Sequence, residues 1–375
     1  MVHPRRQPPE LTADLIGEIV LRLPPEDPAC LVRASLVCNL WRGIISDRTF
    51  PRRYREFHRT APMLGFFNNL YSGNSRGYIP RFIPITAASP FSQSESDSFD
   101  WKVLDSHHGR VLLRDMMEDF KFAVWDPISD HRQQLPKPII TGSYISNYNA
   151  VVLCGADCCD HLDCHGGPFL VVLMCNGCSG WATCARVYSS KTGAWGAPAS
   201  VYSGLKYLVN LKSVIMGDKI YSIFRLSAKI LIYDIGKHYL SMIDTPDNCG
   251  EDDNNVLMSL EDGSLGLAYI RNSSIYLWSR KVNDSDGVAR WMQCRIIELE
   301  KLIPAIKSRT SLARVIGFAE GVCAILVSNG TAGTFMIELK SGRVRKIDQS
   351  SSYYDVVVPF LSFYTPRYFI FRPFA

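Results

Sequence analysis

The chain has 375 residues, 47% of them hydrophobic and 21% charged, and a formal net charge of +5. That length predicts two or more domains, and the apolar content is ample for a large core, which excludes a disordered chain. The small charge excess is spread along the sequence and gives no clustered Lys and Arg footprint for nucleic acid.

Residues 1–8 read as a flexible N-terminus. Arg5 and Arg6 precede an amphipathic segment containing Asp14 and Glu18 instead of an apolar signal core, so no secretory signal is expected. Leu11, Leu15, Ile19 and Leu23, with Ile16 and Val20 alongside, recur at the spacing that lays an apolar stripe on one helix face. Thr12 is the predicted cap, and Leu11 can reach Ile16 as a hydrophobic staple. Pro24-Pro25 ends this helix, because proline cannot donate the ladder hydrogen bond and disfavours α geometry in the residue before it. Asp27 and Pro28 then open a second helix as N-cap and first helical residue, with Leu31, Ala34, Val37 and Cys38 as its apolar stripe. Trp41, Ile44 and Ile45 continue the pattern into a third. A three-helix unit of roughly 40 residues lies at the lower size limit for independent stability. Its stripe must therefore pack on the rest of its own chain or on a partner.

Leu23-Pro24, Val37-Cys38-Asn39-Leu40-Trp41-Arg42, Ile45-Ser46-Asp47 and Phe50 follow one another in an order that resembles the F-box. The resemblance implies docking onto a Skp-type adaptor and, through it, onto the cullin scaffold of a ubiquitin ligase. By motif position the adaptor-contact set is Leu11, Leu15, Ile19, Leu23, Pro24, Leu31, Val37, Cys38, Trp41 and Phe50. Leu40 departs from the family pattern, which has a polar or basic residue there. Residues 9–55 are taken as the F-box domain.

After about residue 60 the helical period gives way to short β-rich runs separated by Gly, Asp, Asn and Pro turns. Five modules share one order: strand, acidic or glycine turn, strand, polar gap, then a strand ending near an aromatic. Aligned on Trp125, Tyr188, Tyr233, Trp278 and Ile337, they are spaced by 63, 45, 45 and 59 residues. The shorter value matches a four-stranded propeller blade of about 40 to 50 residues, and the longer ones contain insertions. Met63–Phe67 and Arg81–Ile85 begin a sixth module that Val356–Phe360 and Tyr368–Phe371 can complete, closing the ring and removing exposed edges. The expected fold is a small all-α F-box of three helices followed by an all-β propeller of six blades over residues 60–375. A β-sandwich pair or an open solenoid is the alternative. This second part resembles the propeller-type F-box-associated regions common in plants.

The chemistry-bearing motifs are few. Gly73-Asn74-Ser75-Arg76-Gly77 matches the nucleophile-elbow pattern, but Pro80 opposes the helix that such an elbow needs. No phosphate loop, His-Glu-x-x-His or Rossmann fingerprint is present. The chain holds 12 cysteines, below disulfide-scaffold density, so free thiols in a reducing compartment are the default. The sequons at Asn272, Asn283 and Asn329 carry no weight without secretion. Cys154, Cys158, Cys159, His161, Cys164 and His165, then Cys175, Cys178 and Cys184, are zinc-ligand types, with a knuckle spacing at Cys175–Cys178. Ordinary free cysteines are the expectation, with no cofactor and no metal; the zinc alternative rests on Cys158, His161, Cys164, Cys175 and Cys178. Asp160 to Gly167 resembles a loop recurrent in grass F-box proteins. Thr86–Asp100 and Asp244–Asn254 are candidate substrate loops, or simply solvated connections, and Trp125, Trp195, Trp278 and Trp291 are expected in blade cores.

The expected function is a non-catalytic substrate-recognition subunit of a Skp-cullin-F-box ubiquitin ligase in the cytoplasm, the nucleus or both. Its propeller would recruit a target protein, with no nucleic acid or membrane partner. The alternatives are a ligand-binding propeller of kelch or lectin type and a zinc-binding protein built on the insertion 154–184.

Overall fold

The computed structural model describes residues 11–71, 78–86, 101–140, 147–162, 164, 166–176, 181–204, 206–208, 212–225, 227–247, 249, 255–283, 286–304, 306, 313–330, 332–348 and 357–366. Helix α1 (Ala13–Leu21) starts where its sequence predicts, with Thr12 Oγ1 accepting the Leu15 N–H at 3.4 Å. Helix α2 (Pro28–Ser35) is capped by Asp27, whose Oδ1 accepts the Ala29 N–H at 3.2 Å, and Pro28 occupies its first turn. Helix α3 (Asn39–Ser46) carries Trp41 and Ile45.

A fourth helix, α4 (Phe50–His58), corrects the expected count of three. Its sequence is dominated by arginines, so no broad apolar stripe announces it, yet Pro51 suits its first turn and Arg52 pairs with Glu56 one turn on at 2.7 Å. Phe50, Tyr54 and Arg55 form its buried face. From that face the Tyr54 hydroxyl donates to the Leu23 carbonyl at 2.8 Å, and His58 Nε2 lies 2.8 Å from the Leu21 carbonyl. These contacts satisfy carbonyls at the end of α1 that have no partner within the helix. The core of the helical unit is Ile16, Val20, Leu21, Leu31, Ala34, Ile45, Phe50 and Tyr54, joined by Phe363 from the far end of the chain.

The remaining elements form six sheets arranged as propeller blades. Blade 1 runs through Trp101–His107, Arg110–Asp115, Phe122–Asp126 and His131–Gln134. Blade 2 has Tyr148–Cys154, Phe169–Asn176 and Ala182–Ser189, with Ala194–Trp195 and Ala199–Tyr202 both pairing on the last of these. Blade 3 spans Tyr207–Asp244, blade 4 Val256–Glu298 and blade 5 Ala313–Asp348. Blade 6 joins the two ends of the domain: Val357–Leu361 pairs antiparallel with Met63–Tyr71, which pairs with Tyr78–Pro84. The alignment residues Trp125, Tyr188, Tyr233, Trp278 and Ile337 all lie on the third strand of their blades. Tyr368–Phe371, Val356, residues 1–8 and Gly73–Gly77 lie outside the described residues.

Neighbouring blades pack through shared apolar layers. Leu104, Leu112 and Val124 of blade 1 meet Tyr148, Val152 and Val171 of blade 2 in one cluster. Polar pins cross the same seams. The Asn69 side-chain amide of blade 6 donates to the Val103 carbonyl at 2.9 Å and accepts the Val103 N–H at 2.8 Å, standing in for a strand backbone. Asp105 Oδ2 accepts the Val152 N–H at 3.0 Å between the first strands of blades 1 and 2. Trp195 Nε1 donates to the Pro136 carbonyl at 2.7 Å, and Trp291 Nε1 to the Asp244 carbonyl at 2.8 Å. These tryptophans therefore fasten one blade to the next. Among the described residues no helix is long and apolar enough to cross a membrane.

Candidate functional site

Helix α1 divides its apolar residues between two faces. Ile16, Val20 and Leu21 are buried in the helical core, whereas Leu11, Leu15 and Ile19 are exposed, Leu15 by 53% against 3% for Ile16. The loop between α2 and α3 adds Leu36 and Val37, 69% and 62% exposed, and α3 adds Leu40 at 48%. Of the motif-derived contact set, Pro24 and Cys38 are also exposed, and Leu23 and Trp41 are half-buried against the helical core. Leu31 and Phe50 are not available on the surface. They are 1% exposed because they fill the unit's own core. Leu36 was absent from the set and Leu40 appeared only as a departure, although both project among the exposed residues. Between α1 and α3 a groove of about 680 Å³ is lined by Gly17, Leu40, Gly43 and Ile44.

A second cluster sits on the hairpin joining the first two strands of blade 2. There Cys154, Cys159, His161 and Cys164 bring their ligand-type atoms within 4.8 Å of one another. This is not the set that spacing favoured. Cys158 is exposed and stands apart from the group, and Cys175 is buried inside a strand, in register with Cys184. Cys178 and His165 lie outside the described residues. Cys154 was within the candidate region but unselected, because nothing in the sequence says that the strand end holding it faces the hairpin tip.

The hairpin adjoins the helical unit. Arg52 of α4 approaches Asp160 at 3.6 Å, and a cavity of about 430 Å³ is lined by Arg55 of α4, Arg59 just after it, His107, His108, His161, Lys212, Glu320 and Phe363. His108 stacks on His161 with ring centroids 4.1 Å apart. Burial holds His107 well below the usual imidazole range; burial, aided by His161 and Arg110, holds His108 down at about 4. Burial, then the neighbouring thiols of Cys154 and Cys159, push the Cys164 thiol up. The candidate loop Thr86–Asp100 lies outside the described residues beyond Thr86, and the stretch Asp244–Asn254 is described only at 244–247 and Cys249.

Comparisons with known proteins agree with this division. The F-box domain model matches residues 9–53, over α1 to α3 and the first turn of α4, and F-box domains typically bind Skp-type adaptors. No curated protein matches. Among solved structures, Kluyveromyces lactis Hsv2 is 8% identical with a TM-score of 0.38, over 64% of this chain and 75% of that one. YjhT is 10% identical with a TM-score of 0.38, over 66% and 83%. The extracellular domain of the putative one-component system BT4673 from B. thetaiotaomicron is 12% identical with a TM-score of 0.40, over 80% and 38%. A second family model, described as F-box protein AT5G49610-like, beta-propeller, matches residues 102–368. An F-box on the helices and this propeller model across most of the remaining chain leave one conclusion: the chain belongs to the F-box protein AT5G49610-like beta-propeller family.

Proposed function

We propose that the chain is the substrate-recognition subunit of a Skp-cullin-F-box ubiquitin ligase. Its helical unit docks on the adaptor and its propeller holds a target protein. The observation that carries this is the exposure of Leu11, Leu15, Ile19, Leu36, Val37 and Leu40 on a unit whose own core is already filled, in part by Phe363. Six large apolar side chains on about 50 residues form the kind of patch that marks a protein interaction site. An F-box beside a propeller is an architecture typical of non-catalytic receptor subunits. Recruitment raises the local concentration of target beside the transfer machinery, so ubiquitin transfer becomes effectively intramolecular. The chemistry would belong to other subunits, and the complex would work in the cytoplasm, the nucleus or both.

The test is co-purification of the full chain with a Skp-type adaptor and a cullin. Wild-type protein is expected to bring down both, and Leu15→Asp neither, with the propeller still folded. Wild-type protein that captures no adaptor refutes the proposal.

A further inference from the structure

We propose that Cys154, Cys159, His161 and Cys164 form a structural zinc site that locks the blade 2 hairpin beneath helix α4. Three thiols and an imidazole are a ligand set of structural zinc, here in the order Cys-x4-Cys-x-His-x2-Cys. The distances suit a single shared ion. Zn–S bonds of about 2.3 Å and Zn–N bonds of about 2.0–2.1 Å at tetrahedral angles require S···S edges of about 3.8 Å and S···N edges of about 3.6 Å. Cys159 Sγ lies 3.7 Å from Cys164 Sγ, and Cys164 Sγ lies 3.6 Å from His161 Nδ1. All four donors fall within 4.8 Å of one another, close enough to converge on one ion with small side-chain adjustments.

The backbone is shaped for the same purpose. Cys158 and His161 adopt left-handed φ values of 51° and 57°, turning the chain so that residues on both sides face inward. The His161 N–H points at Cys159 Sγ at 3.4 Å, a donor that favours a thiolate there. Beneath the loop, buried Arg110 donates through Nη2 to the carbonyls of Cys164 and Gly167. Its positive charge also complements the net single negative charge of a zinc ion with three thiolates and one neutral imidazole. Stacking on His108 fixes the His161 ring in the plane that presents Nδ1 to the thiols. On loading, each of the three thiols gives its proton to solvent as its sulfur bonds the ion, with no redox change. The ion ties a strand end of blade 2 to the tip that carries Asp160, which faces Arg52 of α4.

Zinc at this hairpin is independent of adaptor binding and can hold or fail separately from it. The test is metal analysis of the purified full chain after expression with zinc. One zinc per chain is expected in wild type, in Cys158→Ser and in Cys175→Ser, and loss of the metal in Cys159→Ser/Cys164→Ser. A wild-type readout covers failure of that double variant to fold. Cobalt reconstitution should give the intense visible bands of a tetrahedral thiolate site, and alkylation of Cys154, Cys159 and Cys164 should be slow until a chelator is added. No stoichiometric zinc with no cobalt bands, zinc retained in the double variant, or a mass two hydrogens short from a disulfide within the trio would each overturn the proposal.

Discussion

Removing the Phe363 ring should detach the helical unit while leaving the blades standing. Phe363 is 5% exposed, belongs to the core built from Ile16, Val20, Leu31, Phe50 and Tyr54, and meets the Tyr54 ring edge-on at a centroid distance of 6.2 Å. A buried Phe→Ala substitution costs about 3–5 kcal/mol. A helical unit of about 50 residues has only a few kcal/mol of stability to lose, so Phe363→Ala consumes most of it. Phe363 lies just beyond the closing strand Val357–Leu361, so the ring of blades keeps its hydrogen bonds. Phe360 is the contrast: it is fully buried against Phe67 at 5.7 Å and Phe82 at 6.2 Å, and Phe360→Ala should open the propeller itself. Hydrogen exchange read by mass spectrometry separates the two. Phe363→Ala should strip protection from residues 13–58 and spare the blades; Phe360→Ala should first expose Met63–Asn68 and its partners. Equal loss throughout the chain in Phe363→Ala, or unchanged helices, would refute the reasoning.

Other seams yield their own tests. Asn69→Ala removes both side-chain bonds to Val103 and should lower stability by about 1–3 kcal/mol in denaturant unfolding, with blade 6 exchanging fastest. Trp195→Phe keeps an aromatic ring, though a smaller one, and deletes the donor to Pro136, costing at least about 1 kcal/mol by thermal melting. Asp105 gives a pH signature. Burial raises its carboxyl above the usual range, opposed by Lys212 and the Val152 N–H and reinforced by Glu320. The folded state therefore holds its proton at pH values where the unfolded chain has lost it, and stability falls as pH rises between the unfolded and folded pKa values. Asp105→Asn keeps an acceptor for Val152 and should abolish that slope in urea titrations across mildly acidic pH; an unchanged slope would assign it to another group.

Much of this was legible because it is local. Thr12, Asp27 and Pro28 mark helix starts through chemistry that needs no tertiary context, and the residues from Trp125 to Ile337 recur at blade spacing because each lies on the third strand of its blade, fully or partly buried. What stayed hidden depends on packing. Helix α4 buries Arg55 and surrounds it with further arginines, so periodicity alone does not find it. Adjacent apolar residues on α1 belong to opposite faces, and the core that turns Ile16 and Val20 inward includes Phe363, more than 300 residues away, beside Leu31, Phe50 and Tyr54. The cysteine cluster joins a strand end to a hairpin tip, while the more familiar spacing at Cys175–Cys178 begins inside a strand.

Titration calorimetry of the intact chain against a purified Skp-type adaptor addresses the central claim most directly. Leu15 keeps about half its surface free, so burying the rest is worth about 1 kcal/mol, and a carboxylate forced into the same contact costs several kcal/mol more. Leu15→Asp should therefore weaken binding at least about 100-fold with an unchanged melting temperature, while Ile139→Asp, also exposed but on the propeller side, binds as wild type does. Wild-type protein that shows no heat of binding, or Leu15→Asp that binds as tightly as wild type, would contradict the account.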